Sequence, residues 1–357
     1  MPWTRCADLW PPLERTTTDK RSVKHAGKNP SARRRATLSG LIVLVVIALA
    51  LSLTRGSVDL SWGDAAAALM GKGNALASAV VIDLRLPRAL SALVVGSALA
   101  LAGVLMQVLL RNPLADPYVL GTSGGSAVLV LIAMMAGAPH SVVPVAAGAG
   151  ALISMVLLLL LARSSGDWSS SRLLLTGIVL ASGWGALISF LLSVSPAQQI
   201  QGMLFWLMGD LQPVTPGWWR SGVVLAALML SLILARDLNL LAEGDLRARS
   251  LGLRTGLLRL AILLGASALT AVAVTLAGPV GFVGLVIPHM MRLLVGPDHR
   301  LLIPSSMLAG GALLILSEMT ARILWAPQQL PVGVITAFIG VPVFLLLLQK
   351  GASRGRP

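Results

Sequence analysis

The sequence has little charge, few aromatic residues and almost no cysteine. Charged side chains make up 12% of the 357 residues, about half the share found in a soluble globular domain. The single cysteine, Cys6, cannot form a disulfide within the chain, and the four histidines are too scattered to give zinc-ligand spacing. We therefore expect neither a disulfide framework nor a metal bound by this chain.

The sequence also contains no G-x-x-x-x-G-K-[ST] phosphate-binding loop, which excludes a P-loop ATPase. The Gly-rich stretch GTSGG at 121–125 lacks the following Lys-Ser/Thr, and we interpret it as a site of close helix packing. No Ser/His/Asp or paired-carboxylate arrangement stands out. An enzyme is therefore disfavoured, and no cofactor is expected on this chain.

Acidic residues are rare inside the apolar runs. Of the 14 acids, only Glu318 lies well within such a run, near one end of it. Transporters driven by protons or ions need ionisable groups in the middle of the membrane. An ion-coupled secondary transporter is the alternative from a different functional class. The sequence lacks the pair of acids in mid-span that would favour this alternative.

Long apolar runs dominate the chain, since hydrophobic residues make up 56% of it. Runs of about 20 mostly apolar residues indicate helices that cross a bilayer. We therefore predict an all-α polytopic membrane protein with about ten transmembrane helices. The predicted spans cover 37–54, 88–109, 119–137, 142–162, 173–195, 218–235, 256–277, 280–295, 301–321 and 331–349. The eighth is short and contains Gly281, Gly284 and Pro288, so we expect it to be broken or partly re-entrant.

The net charge of +14 comes mostly from the N-terminal tail and from short segments between apolar runs, which argues against nucleic-acid binding. With the N-terminus in the cytoplasm, 22 Lys and Arg lie on the cytoplasmic side and 6 outside. Because cytoplasmic loops carry the excess of Lys and Arg, both termini are expected there. The chain then divides into a disordered basic cytoplasmic tail at 1–36, a transmembrane domain at 37–350 and a cytoplasmic tail at 351–357.

A polar segment, LNLLAEGDLRARSLGLR at 238–254, stands between two apolar runs on the predicted cytoplasmic side. Its two acid-first i,i+4 pairs are Glu243–Arg247 and Asp245–Arg249. That order favours a short helix, and Gly252 after Leu251 is typical of a C-terminal cap. The segment is either a solvated connecting helix or a docking element whose apolar contacts come from Leu246 and Leu251.

The second predicted span carries small residues on one helix face, followed by a polar one. Their spacings of 3 and 4 residues place them in a single stripe: Ala89, Ala92, Gly96, Ala100, Gly103 and Gln107. Such a stripe allows close approach of a second backbone. Helix packing is the favoured interpretation, and lining of a transport pathway is the alternative.

Three arginines lie near the predicted outer mouth of the bundle: Arg85, Arg88 and Arg322. Arginines at a membrane face commonly act as interfacial anchors. They also form bidentate pairs with carboxylates, so docking of a soluble acidic partner is the second interpretation.

The chain resembles permease subunits of FecCD-type ABC importers, which transport iron-siderophores, haem or vitamin B12. The matching stretches run in family order from about residue 80 to 346. They are RLPRALSALVVGSALALAGVLMQ, RNPLADPYVLGTSGG, FWLMGDL, LNLLAEGDLRARSLGL, GPVGFVGLVIPHMMRLLVGPDHR and LPVGVITAFIGVPVF. Any one alone is weak, but the series is specific.

The resemblance implies a multi-pass protein of the bacterial inner membrane with ten helices and a second permease subunit as partner. It also implies a cytoplasmic ABC ATPase dimer, which uses ATP and Mg, and a periplasmic or lipid-anchored substrate-binding protein. In the family, the loop matched by about 236–255 docks on the ATPase. The residues matching that surface are Glu243, Gly244, Asp245, Arg247, Arg249, Leu251 and Gly252. Those matching the arginines that receive the binding protein's acids are Arg85, Arg88 and Arg322.

Two positions depart from the family pattern. The docking loop usually reads L-G-E-E-x-A, whereas here Glu243 comes one position early and Leu246 occupies an acidic slot. Gln329 replaces a glutamate before the last Leu-Pro. We expect an importer of an iron-siderophore, with haem or cobalamin as the alternative substrate; a homodimer and a heterodimer are equally compatible with the sequence.

Overall fold

The computed structural model describes residues 30–56, 58–163, 170–211 and 217–354, and those residues form helices without a strand. The helices that precede the polar segment are α1 (Pro30–Thr54), α2 (Trp62–Leu69), α3 (Ala75–Ser78), α4 (Leu86–Leu109), α5 (Thr122–Met135), α6 (Val143–Arg163), α7 (Ser170–Val194), α8 (Ala197–Leu207) and α9 (Trp218–Ile233). Those that follow are α10 (Ala235–Ala242), α11 (Asp245–Ser250), α12 (Thr255–Ala277), α13 (Val283–Val295), α14 (His299–Ile323) and α15 (Val332–Arg354).

Each of the ten predicted apolar runs contains a helix, which confirms the all-α fold. Within the described ranges, six helices are long and apolar enough to cross a membrane, or seven if the bent pair α9–α10 forms one span. The helices α5, α13 and the apolar part of α15 are shorter, at 10–17 residues. The total of ten spans therefore stays a prediction.

Three boundaries differ from the prediction. Helix α1 begins at Pro30, so residues 30–36 of the predicted disordered tail are helical, while 1–29 lie outside the described residues. Residues 75–85 are helical rather than a loop, because α3 continues through a π-helical turn (Ala79–Arg85) into α4, and the whole stretch Ala75–Leu109 is a candidate span of 35 residues. At the other terminus α15 continues to Arg354.

Helix α4 is the centre of the bundle. Most of its residues are buried, and it packs mainly against α14 and α12. A β-carbon on Gly96 would lie 2.2 Å from the carbonyl oxygen of Gly310 in α14, and one on Gly103 would lie 1.9 Å from that of Gly284 in α13. Real β-carbons do not approach backbone atoms so closely, so both glycines serve helix packing, as the stripe predicts.

Helix α13 is continuous, contrary to the expectation of a broken segment. It begins after Phe282, whose φ is +70°, and includes both Gly284 and Pro288. Its 13 residues span roughly 20 Å at 1.5 Å per residue, less than the apolar thickness of a bilayer. The side-chain amide of Gln107 in α4 forms two hydrogen bonds with α13. Its Nε2 donates to the carbonyl of Leu285 (3.3 Å), and its Oε1 accepts from Arg292 (3.2 Å).

Candidate functional sites at the ends of the bundle

Helix α4 separates two groups of polar residues. Its 24 residues correspond to roughly 36 Å of helix. Arg88 lies in its first turn, near Arg85 and Arg322, and we call this the arginine end. Arg111 follows its last turn and lies beside α11; we call this the loop end. The predicted docking residues for the two soluble partners thus lie at opposite ends of the molecule.

At the loop end the polar segment forms two helices rather than one. The chain bends by 65° between α9 and α10, and α10 ends before Gly244, which has φ +122° and precedes α11. A side chain is disfavoured at such a φ. Gly244 therefore separates two short helices, whereas the spacing of the acids and arginines alone predicts a single helix.

Gly252 ends α11 as predicted. Its φ is +81°, its N–H donates to the carbonyl of Arg249 (2.9 Å), and the N–H of Leu253 donates to that of Ala248 (3.0 Å). These two bonds form a Schellman motif, which satisfies carbonyls at the helix end. The cap fixes where the chain leaves α11 and turns towards α12.

The outer face of α11 is apolar at two points. Leu246 is 89% exposed and Leu251, the C-cap residue, is 61% exposed, whereas Ala248 is fully buried. The predicted pair Glu243–Arg247 is present at 2.7 Å and is itself exposed. The surface at α11 therefore presents two exposed leucines and one exposed ion pair.

The second predicted ion pair of this segment is wrong. Asp245 does not bind Arg249; both of its carboxylate oxygens accept from Arg259 of α12, at 2.8 and 2.6 Å, and Arg111 lies 3.5 Å away. Arg249 donates to Thr255 Oγ1 instead (3.3 Å). The buried guanidinium of Arg259, 3% exposed, offers Asp245 a less hydrated partner than a surface arginine does.

Helix α10 has its own polar anchor on α14. Asn239 Oδ1 accepts from the backbone N–H of His299 (3.0 Å) and contacts His299 Nδ1 (2.5 Å), while Asn239 Nδ2 donates to Asp298 Oδ1 (3.1 Å). Asp298 also caps α14 through the N–H of Arg300. The two short helices are therefore attached to different spans, α10 to α14 and α11 to α12.

The turn from α4 to α5 contacts the segment that precedes α13. Asp116 Oδ1 accepts from the N–H of Tyr118 (2.8 Å), and the Tyr118 hydroxyl accepts from the N–H of Val280 (3.0 Å). Burial raises the pKa of Asp116 to about 6 against the effect of that hydrogen bond, and burial also raises the pKa of Tyr118. The hydrogen bonds of Asp116 and Tyr118, rather than an ion pair of Asp116, therefore hold the turn in place.

At the arginine end, Arg85 is only 3% exposed. Its guanidinium donates to the backbone carbonyls of Leu53 (2.8 Å) and Val58. A β-carbon on Gly56 would lie 2.7 Å from Arg85 Nη2. Arg85 therefore fastens the chain that leaves α1 to the π-helical turn, an internal role that sequence reasoning did not predict.

The other two arginines surround one buried acid. Glu318 is 1% exposed and pairs with Arg322 at 2.8 Å and with Arg88 at 4.0 Å. Gln329 accepts from Arg88 and donates to Asp210 Oδ1 at 3.5 Å. Burial raises the pKa of Asp210, while the nearby Arg88 opposes the rise. The Gln329 amide, which departs from the family pattern, thus connects Arg88 in α4 to Asp210 in the segment after α8.

These residues border an open cavity of about 350 Å³. Its polar lining consists of Arg85, Arg88, Arg322 and Gln329, and its apolar lining of Val58, Val80, Leu84 and Pro327. The cationic groups outnumber the acids beside it, so the cavity suits a carboxylate better than a cation. Within the ranges that the structure describes, no group of three or more His, Cys, Asp or Glu is arranged to hold a metal ion.

The comparison with known proteins decides the family. The sequence profile of the FecCD transport family matches residues 43–350. The chain is a member of the FecCD transport family. Vitamin B12 import system permease proteins BtuC from Shigella boydii and from Escherichia coli O17:K52:H18 are each 39% identical over 316 residues, which cover 87% of this chain and 94% of theirs.

Solved structures share the FecCD fold. One is described as a metal-chelate type ABC transporter in an inward-facing conformation; its TM-score is 0.76 at 32% identity, over 89% of this chain and 99% of that chain. PsaBC from Streptococcus pneumoniae in complex with Fab has a TM-score of 0.51 at 17% identity, over 73% and 89%, and bears on the fold alone.

FecCD membership makes this chain the multi-pass permease subunit of a type II ABC importer, which confirms the class that the motifs predict. Such a subunit is not itself an enzyme, since the ATPase is a separate subunit. The family also implies a substrate-binding partner and a dimeric permease. The ion-coupled alternative is therefore set aside.

Sequence reasoning did not identify the residues that anchor the polar segment at 238–254. Arg111, Arg259 and His299 lie in or beside other elements, whereas Asn239 lies in the segment itself, and the paired residues are 14 to 134 positions apart. One signal was available: Arg259 is a cation within the apolar run of α12, and such residues need a partner.

Proposed function

We propose that this chain carries a bulky metal chelate across the bacterial inner membrane, driven by a cytoplasmic ATPase that docks on residues 243–252. The observation that carries the proposal is the placement of Leu246. It is 89% exposed, yet it stands on a helix whose neighbouring residue Asp245 is held by Arg259. An exposed apolar side chain on an anchored helix is suited to receiving force from a partner.

The loop end is then cytoplasmic, in agreement with its excess of Lys and Arg. The arginine end faces outwards, where a substrate-binding protein presents acids to Arg88 and Arg322. Both guanidinium groups border the 350 Å³ cavity, although each already has an internal partner. Arg85 supports this surface from within rather than by direct contact, because it is 3% exposed and donates to two backbone carbonyls.

Two substrates are candidates. The identity to vitamin B12 permeases over 94% of their length favours a cobalamin. The iron-siderophore predicted from the motifs is the second candidate, supported by the likeness to a metal-chelate type transporter. Both are large chelates, and the family motifs do not separate them.

Uptake by vesicles distinguishes these substrates. Vesicles with the reconstituted permease, ATPase and binding protein receive labelled cyanocobalamin or a labelled ferric siderophore. ATP-dependent uptake of cyanocobalamin supports the first candidate, and uptake of the siderophore supports the second. Uptake driven by a proton gradient without ATPase contradicts the proposed function.

ATPase docking is tested with Leu246→Arg. A charge at the centre of an apolar contact is costly to bury, so we expect the ATPase to be lost when the variant is purified from detergent. Leu324→Arg makes the same change at the arginine end, where the side chain is 61% exposed, and should retain the ATPase. Equal ATPase recovery with both variants contradicts docking at the loop end.

A further inference from the structure

We propose that Asp245 is the positioning residue that transmits movement of the ATPase-docking helix α11 to α12 and to the turn after α4. The inference rests on the proposed function, because it assumes that an ATPase moves α11. It adds the route by which that movement reaches the spans, which docking alone does not specify.

The contact with Arg259 is the main step of this route. Both Asp245 oxygens accept from Arg259 Nη2, at 2.8 and 2.6 Å, which is the short distance of a charge-assisted hydrogen bond. Arg259 is 3% exposed and lies in the first two turns of α12. Its guanidinium therefore cannot contact a docked ATPase directly, and any effect of Arg259 on coupling must pass through Asp245 or through α12 itself.

The contact with Arg111 is the second step. Arg111 Nη2 lies 3.5 Å from Asp245 Oδ2, and Arg111 comes two residues after the end of α4. Its φ of +48° is uncommon for a residue with a side chain. Because α4 is the buried centre of the bundle, this ion pair connects α11 to the element with the most extensive packing.

The rest of α11 offers weaker connections. Leu246 and Leu251 are exposed, and Ala248 is its one buried residue in the described structure. Arg249 donates one hydrogen bond to the neutral hydroxyl of Thr255 in α12, at the longer distance of 3.3 Å. Gly244, with φ +122°, separates α11 from α10, which has its separate anchor at Asn239. The charged contacts of Asp245 are therefore the firmest side-chain connection from α11 to the spans.

The test uses the whole complex with its ATPase in lipid nanodiscs, with ATP plus vanadate as the probe. Hydrogen–deuterium exchange is measured over 255–265 and 110–117, with and without the probe. In the wild type we expect trapping to change exchange in both segments. In Arg259→Gln we expect the change over 255–265 to fall about fivefold or more, the size of a typical coupling between sites, while the ATPase still co-purifies.

Additional variants separate transmission from a general loss of structure. Over 255–265, Asp245→Asn, Arg259→Gln and the double variant should show the same loss, because each removes the Asp245–Arg259 contact. Over 110–117, the variants that carry Asp245→Asn should also lose the response, because Arg111 pairs with Asp245. Asp245→Glu keeps the carboxylate and should restore most of the exchange response. Asp59→Asn and Arg55→Gln remove the same charges from an exposed pair near the arginine end and should respond as the wild type does.

Three results overturn the inference: an unchanged exchange response in Arg259→Gln, strictly additive losses in the double variant, or a wild type that shows no response to trapping. Its failure is distinct from failure of the proposed function. If the proposed function is wrong, Leu246→Arg retains the ATPase. If only the inference is wrong, Leu246→Arg loses the ATPase and Arg259→Gln shows the exchange response of the wild type.

Discussion

At the scale of single residues, close packing of two helices can require a glycine at one particular position. Gly103 allows α4 to lie against the backbone of α13, where a β-carbon would come within 1.9 Å of the Gly284 oxygen. Gly265 of α12 is another helical glycine, but a β-carbon there would meet only Leu105 Cδ1, at 3.7 Å. The two positions thus form a matched pair for a substitution.

We expect Gly103→Ala to destabilise the protein by about 1–3 kcal/mol, since the added methyl forces two backbones apart. Gly265→Ala should be neutral or stabilise by up to about 1 kcal/mol, because alanine favours a helix. Thermal unfolding in detergent, followed by the loss of monodisperse protein, measures both. Similar midpoints for the two variants would show that the α4–α13 contact is loose.

Spacing within one helix predicted Gly96 and Gly103 correctly because both the pattern and the packing follow the same helical period. The same spacing rule paired Asp245 with Arg249 because the two residues lie four positions apart in one short stretch of sequence. The actual partner, Arg259, lies in the next helix, and burial rather than sequence distance determines the choice. Arg85 was placed at the surface for a similar reason: the carbonyls that it binds belong to another segment.

At the scale of elements, the two short helices show how backbone conformation divides a segment that composition presents as one. Gly244 and Gly252 both have positive φ, and they mark the start and the end of α11. The position of Gly252 was predictable, since a glycine after a helical pattern is a common cap. The break at Gly244 was not, because the acid–base spacing continues across it.

Gly252→Ala tests the cap. A β-carbon at φ +81° costs about 1–2 kcal/mol, so we expect the end of α11 to open more often. Limited trypsin digestion should cleave faster after Arg254, two residues beyond the cap. Gly256→Ala is the control, because it lies in the first turn of α12, where an added β-carbon would meet open space. Equal cleavage of the two variants would mean that the cap does not hold the segment.

At the scale of the whole molecule, the two ends proposed to bind partners define an expected direction across the membrane. The positive-inside prediction places the loop end in the cytoplasm, and the structure places Arg88 and Arg111 at opposite ends of α4. The helix positions were predictable because apolar runs set them. Their lengths were not: α3 extends the second candidate span to Ala75, and α13 has only 13 residues.

The direction is testable with single cysteines in a Cys6→Ser background. Trp325→Cys, at a side chain that is 65% exposed beyond the arginine end of α14, should react with a membrane-impermeant maleimide in intact spheroplasts. Leu246→Cys should react only after permeabilisation. The opposite pattern would invert the orientation and remove the outer surface proposed for the binding protein.

The central position of α4 also has a consequence for the time course of synthesis. Its principal neighbour, α14, begins at His299, 190 residues after α4 ends at Leu109. At about 5–20 residues per second, the ribosome needs roughly 10–40 s to supply that partner. During this interval the face of α4 that carries Gly96 is without its partner in α14, so the helix at the centre of the finished bundle is made long before its packing can be completed.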